Sequence, residues 1–268
     1  MTTGHHELEA AGHPRSFEVA APDGLGTGSG TRTAPVIVLF HGYLGAAGKI
    51  LQTTGLDRLG PAHGVVIVAP QGIGEPTSWH IGDDSFGDTE FTDAVLALVR
   101  ASPCVDTTAI WLAGFSAGSA WTGVYGCTHA DGIAGLLMHS GLPPAICPGD
   151  RTPNVMIVHG TADPVVPFTG GAQPVGGSAV VLAPVPESAA SWATTAGCGA
   201  DPTVRSVGDQ VSITTWSGCA GGRTVSLQAV TDLGHSWSGG RDAPGLLNPG
   251  CVLVETLTGA ADPVAACS

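Results

Sequence analysis

Three short stretches carry residues whose types, taken together, perform acyl-transfer chemistry. "GFSAG" at 114–118 matches the pattern G-x-S-x-G around Ser116, "HGTADPVVPF" at 159–168 carries Asp163, and "DLGHSWSGG" at 232–240 carries His235. A serine hydroxyl is a weak nucleophile at neutral pH, so it needs a base to take its proton and a carboxylate to orient that base. Taken alone, the pentapeptide says little. A chain with 41 glycines in 268 residues meets that pattern by chance about 0.4 times.

Position gives the motif its weight. Ser116 directly follows the apolar run "AIWLA" and directly precedes a helix-compatible stretch, which is the strand, sharp turn and helix of a nucleophile elbow. Gly114 and Gly118 allow the backbone to turn tightly there, and a helix start brings free N–H groups and a positive dipole end to the serine oxygen. Asp163 lies four residues after an apolar run that ends at His159, and His235 follows the last such run in a glycine-rich loop. The chain order Ser, Asp, His is that of α/β-hydrolases. Asp232 is the competing carboxylate, ranked lower because a residue three positions before the histidine seldom reaches the far ring nitrogen while the other faces the serine. His41, His139 and His159 also end apolar runs but come too early in the chain to be the base, and Ser140 has no elbow.

Charge developing on a substrate carbonyl oxygen needs two N–H donors. One is expected from Ala117, just after the nucleophile. The second is expected from the loop after an early strand, where "LFHGYLG" lets Gly42 turn the chain so that the amide of Tyr43, or alternatively Leu44, faces the site.

These residues must be held at strand ends, and the chain supplies the strands. Almost wholly apolar runs occur at 35–40, 64–69, 109–113, 133–139, 153–159 and 224–230, as expected of strands buried on both faces in a parallel sheet. Helical patterns fall between or after them at 88–101, 117–127, 187–196 and 246–258. The alternation predicts an α/β fold, a mostly parallel sheet with helices on both faces and ligands at the carboxyl ends of the strands. Residues 16–22 read as an edge strand and 171–186 as a surface excursion. The expected organisation is a flexible N-terminal tail at 1–15 and a single catalytic domain at 16–268.

Composition excludes several partners. Acidic residues outnumber basic ones 22 to 9, the formal charge is −13, and no basic cluster is available to neutralise phosphates, so nucleic acid is not an expected partner. The longest apolar runs fall well short of the ~20 residues of a membrane-spanning helix, so a soluble protein, expected to be a monomer, is predicted. Seven cysteines without any C-x-x-C pair point to disulfides rather than a zinc site. Disulfides imply an exported protein, and because the N-terminus carries no basic segment followed by an apolar stretch, the signal is expected to have been removed and replaced by Met1. No metal and no organic cofactor is expected: His5 and His6 fall in the tail, and the other histidines lack ligand spacing.

The signatures "LFHG", "GFSAG", "HGTADPVVPFTGG", "SWATTAGC" and "GHSWSGG" resemble the secreted α/β-hydrolase esterases of the poly(3-hydroxybutyrate) depolymerase and feruloyl esterase type, over about residues 16–258. The resemblance implies Ser116 as nucleophile, Asp163 and His235 as its partners, and the Tyr43 and Ala117 amides as oxyanion donors. It further implies Trp237 as an aromatic wall beside the acyl group and Trp79 at the edge of the cleft. Two departures stand out. Ser238 replaces a proline usual in that group, which is expected to alter the loop, and Tyr43 stands where the group often has cysteine, an aromatic able to stack on a ring ester. The resemblance also implies a disulfide Cys198–Cys219. Cys127–Cys147 and Cys251–Cys267 come next, leaving Cys104 free, with Cys104–Cys127 as the alternative.

The function expected is a secreted serine ester hydrolase that acts through an acyl-enzyme on neutral aromatic or polymeric esters. The substrates envisaged are a polyester such as polyhydroxybutyrate or feruloyl and acetyl esters of plant polysaccharide, with a synthetic aromatic polyester such as PET as the alternative. A serine peptidase and a non-catalytic carbohydrate-binding scaffold rank below these.

Overall fold

The computed structural model describes residues 1–26, 33–82, 84–129, 131–141, 147, 152–175 and 178–268. The apolar runs become the centre of one ten-stranded sheet. In chain order its strands are β1 (Gly4–Ala10), β2 (His13–Ala20), β3 (Ala34–Phe40), β4 (Val66–Pro70), β5 (Val105–Phe115), β6 (Gly135–His139), β7 (Asn154–Gly160), β10 (Thr203–Val207), β11 (Val211–Trp216) and β12 (Val225–Val230). They are arranged β1-β2-β4-β3-β5-β6-β7-β12-β11-β10. The six from β4 to β12 run parallel, and β2 and β11 join them antiparallel on either side.

Strand alternation divides the core into two layers. Val36, Val38 and Phe40 of β3 face one side, where α3 (Asp88–Ala101), α4 (Ala117–Thr128) and α5 (Val185–Thr195) contribute Phe91, Trp121 and Trp192. Ile37 and Leu39 face the other, against α1 (Ala47–Thr54), α2 (Leu56–Ala62) and α6 (Pro249–Leu257). A short α7 (Pro263–Ala266) follows. The expected parallel sheet covered on both faces is what the chain forms. Among the described residues no helix is long and apolar enough to cross a membrane.

Two local expectations, the loose tail and the edge strand, need correction, and further elements went unpredicted. Residues 4–10 are not a loose tail: they pair along their whole length with β2, from Gly4 opposite Val19 to Ala10 opposite His13, so β2 is not an edge strand. The connecting residues Ala11 and Gly12 both have positive φ, 52° and 74°, the signature of a type I′ hairpin. Alanine gives no turn signal at such a position, and the exposed alternate residues of β1 make it look like solvated chain. Residues 47–62 form α1 and α2, hidden in the sequence by Gly48, Gly55, Gly60 and Pro61. Part of the surface excursion is a two-stranded ribbon, β8 (Gly171–Val175) with β9 (Ser178–Leu182).

Helix α3 spans the residues expected of it, and α6 starts later than expected. Asn248 caps α6 by accepting the Gly250 amide, and Pro249, which lacks an N–H, occupies the first turn. Disulfides join Cys127 to Cys147, Cys198 to Cys219 and Cys251 to Cys267, and Cys104 is free.

Candidate active site

Ser116 sits between β5 and α4 with φ 54° and ψ −117°, a strained turn for a residue with a side chain. The flanking glycines make that turn possible through space and not through φ, since neither has a positive φ. A Cβ on Gly118 would lie 2.3 Å from the Phe40 carbonyl oxygen at the end of β3, and one on Gly114 would lie 2.1 Å from the Gly118 carbonyl oxygen. Both contacts are with backbone, which has little freedom to give way. Gly118→Ala is therefore expected to push α4 off β3, to cost about 1–3 kcal/mol of stability and to lower activity; thermal denaturation and kcat on one sample check both.

The structure brings the three predicted residues together. His235 Nε2 lies 2.9 Å from Ser116 Oγ, and His235 Nδ1 lies 2.7 Å from Asp163 Oδ2. Asp232, the competing carboxylate, is exposed, and its amide is held by Thr161 Oγ1 at 3.0 Å. Asp163 is buried, and its other oxygen, Oδ1, accepts the amides of Val165 and Val166 at 2.8 and 2.9 Å. Burial pushes this carboxyl up, but the hydrogen bonds from His235 and the two amides outweigh it and hold it below the usual carboxylate range.

Two histidines that sequence reasoning set aside as bases lie in the layer behind. His139 is fully buried, stacked on Trp237 at 4.8 Å and edge-on to Phe115 at 5.6 Å. Its Nε2 accepts the Ser238 amide at 3.0 Å, which puts the proton on Nδ1 facing Ser140 Oγ at 3.0 Å, and burial drives its pKa down to about 3. His159 donates from Nε2 to the Val166 carbonyl at 2.7 Å, tying down the segment that holds Asp163. The signal for both was their place at the ends of parallel strands.

Ser238 alters more than the loop path. It is buried, its amide holds His139 and its hydroxyl donates to the Leu247 carbonyl at 2.7 Å. A proline there offers neither donor. Ser238→Pro is expected to leave two buried acceptors unpaired and to cost about 2–4 kcal/mol, read as a lowered melting temperature.

Of the two alternatives for the loop donor, Leu44 is excluded because its amide is taken by the Thr77 carbonyl at 2.8 Å. The amides of Tyr43 and Ala117 have no hydrogen-bond partner among the described residues. A Cβ on Gly42 would lie 3.3 Å from Ser116 Cβ, which shows how near this loop comes to the serine. The loop is held from below by His41, whose Nε2 accepts the Gly72 amide at 2.9 Å and whose Nδ1 donates to the Gly42 carbonyl at 2.8 Å. Burial lowers the pKa of His41 and favours this neutral form.

Both tryptophans depart from expectation. Trp79 is 4% exposed, stacked on Trp121 at 6.1 Å and edge-on to Phe40 at 5.0 Å, and its indole N–H donates to the His41 carbonyl at 2.8 Å. It braces the loop and does not border a cleft. Trp237 is 1% exposed, its N–H donates to Asn248 Oδ1 at 3.1 Å, and it supports His139 without forming an open wall. Tyr43 alone of the three is at the surface, 58% exposed. Phe115, which was not anticipated, lies 5.0 Å from the His235 ring and lines a pocket of about 200 Å³ together with Gly42 and Tyr43.

No protein-family model matches the chain. The chain is similar to feruloyl esterase B of Piromyces equi, 25% identical over 85% of this chain and 44% of that protein, so it spans less than half of that relative's length. It is also similar to NocK of Nocardia uniformis subsp. tsuyamanensis, named as a candidate esterase, at 28% identity over 89% of this chain and 75% of the other. Among solved structures it resembles the acetyl xylan esterase from Aspergillus awamori, with a TM-score of 0.65 and 13% identity, covering 87% of this chain and 94% of that one. At that identity the likeness speaks for the fold alone, and with the sheet order above it gives the chain the α/β-hydrolase fold.

Proposed function

We propose that this α/β-hydrolase-fold protein is an exported serine ester hydrolase that acts through an acyl-enzyme on esters of plant polysaccharide or on polymeric esters. The observation that carries the reading is the hydrogen-bonded chain from Ser116 through His235 to Asp163, at 2.9 and 2.7 Å, on a strained elbow. Ser116 Oγ attacks the ester carbonyl while His235 Nε2 takes its proton, and Asp163 stabilises the imidazolium that results. The negative oxygen of the tetrahedral intermediate is met by the Tyr43 and Ala117 amides. His235 returns its proton to the departing alcohol. Water, deprotonated by the same ring, then attacks the acyl group, the acid leaves and Ser116 regains its hydrogen.

The relatives named as feruloyl esterases support the ester class. Three disulfides support an oxidising compartment outside the cell. The test is a hydrolysis panel of p-nitrophenyl acetate, methyl ferulate, acetylated xylan and polyhydroxybutyrate, with Ser116→Ala as control. Hydrolysis of at least one ester by the wild type and none by the variant is expected. Activity confined to peptides, or equal in both proteins, overturns the reading.

A further inference from the structure

The chain contains one lysine, and it lines a pocket shared with Gly42, which approaches Ser116, and with Phe115, which precedes it. The pocket lined by Gly42, Tyr43 and Phe115 is lined also by Lys49 of α1 and by Asp242, both exposed. Ala46, Lys49, Ile50 and Thr53 are spaced i, i+3, i+4 and i+7, so a single stripe of α1 forms one wall. In the segment after His235 the Arg241 amide donates to the Thr53 carbonyl at 2.8 Å, which brings the neighbouring Asp242 to the C-terminal end of α1. Lys49 and Asp242 line the same pocket without forming an ion pair with each other or with another described residue.

From this arrangement we infer that the pocket is a subsite for a hydroxyl-bearing ring of the ester substrate, with Lys49 and Asp242 as its specificity-determining residues. The inference rests on the esterase reading above. A lysine ammonium only donates hydrogen bonds and a carboxylate only accepts them. A hydroxyl does both, so one ring hydroxyl donating to Asp242 and one accepting from Lys49 satisfy the pair. An aliphatic polyester segment carries acceptors only; it answers Lys49 and offers no donor to Asp242. Exposed Tyr43 supplies a flat apolar face for the ring.

Hydroxylated rings reach such a pocket either as the sugar alcohol of the ester or as a phenolic acyl group, and two substrate pairs separate these sources. The sugar arm compares kcat/KM for the feruloyl ester of arabinose with methyl ferulate. The phenol arm compares methyl 4-hydroxycinnamate with methyl cinnamate. In the arm that uses the pocket, Asp242→Leu and Lys49→Met are each expected to lower the ratio of hydroxylated to plain substrate by about tenfold, the size of one hydrogen bond to a charged group. Asp242→Glu is expected to restore most of it. Ratios that move by less than about threefold in both arms overturn the subsite and leave the esterase reading standing. Failure of the wild type to hydrolyse any of the four esters while p-nitrophenyl acetate, acetylated xylan or polyhydroxybutyrate is still cleaved overturns the subsite alone; failure on those three as well overturns the esterase reading with it.

Discussion

Ser116→Ala is expected to lower kcat toward p-nitrophenyl esters by roughly 10⁴–10⁶-fold, with the melting temperature almost unchanged. The size of the loss follows from what remains. Without Oγ, His235 has no nucleophile to deprotonate at Nε2, and the residual rate is that of water attacking a carbonyl held by the Tyr43 and Ala117 amides. Stability is spared because Ser116 is only partly buried and its hydroxyl bonds to nothing but His235 among the described residues. The strained φ of 54° is unfavourable for alanine as it is for serine, so the backbone cost is already present in the wild type. Burst-phase kinetics supply a second readout: an acyl-enzyme gives a burst of p-nitrophenol equal to the active-site concentration in the wild type, and the variant gives none.

Asp163→Asn is expected to reduce kcat by about 10⁴-fold while KM changes little. The two oxygens of Asp163 do different work. Oδ1 accepts two amides, from Val165 and Val166, and Oδ2 accepts the Nδ1 hydrogen of His235. An asparagine must keep its oxygen on the two amides, so its NH₂ group faces His235 Nδ1. Two N–H donors cannot face each other; the ring therefore adopts the tautomer with its hydrogen on Nε2. That nitrogen then has no lone pair for the Ser116 proton, although every heavy atom keeps its place. Imidazole proton resonances report the tautomer directly and separate this cause from misfolding.

The same carboxyl links stability to pH. Its pKa is held below that of the unfolded chain, about 3.9, so its contribution to stability is complete above that value and is lost as pH falls through the lower folded-state pKa. Acid unfolding of Asp163→Asn is accordingly expected to be less steep below about pH 4 than that of the wild type; a circular dichroism titration of the two proteins checks it.

The candidate site and the sheet were legible because both are written in short-range patterns. Runs such as "PVIVLF" and "VMIVH" are apolar on both faces, which only a sheet covered on both sides accommodates, and the strand that precedes Ser116 and the glycines around it are local in sequence. Residues at the ends of parallel strands converge on one edge of the sheet whatever the loops do. Ser116, Asp163 and His235 could therefore be named before any contact was known. The N-terminal hairpin was not legible, because its turn rests on Ala11 with φ 52° and its outer face is polar.

The sequence by itself determined the strand–helix alternation, the elbow and the order of the three site residues, all properties of a few neighbouring side chains and backbone torsions. The tertiary structure decided which groups are free to act. It buried Trp79 and Trp237, assigned the Leu44 amide to Thr77, left the Tyr43 amide without a partner among the described residues, made His139 and His159 supports and drew Lys49 and Asp242 to one pocket. Exposure and hydrogen-bond partnership depend on what packs against a residue from elements tens to more than a hundred positions away, such as His41 under Trp79 or Ser116 beside His235. No local pattern encodes that distance, so the candidate machinery was visible in the sequence, but its supports and the pocket beside it emerged only from the packed sheet.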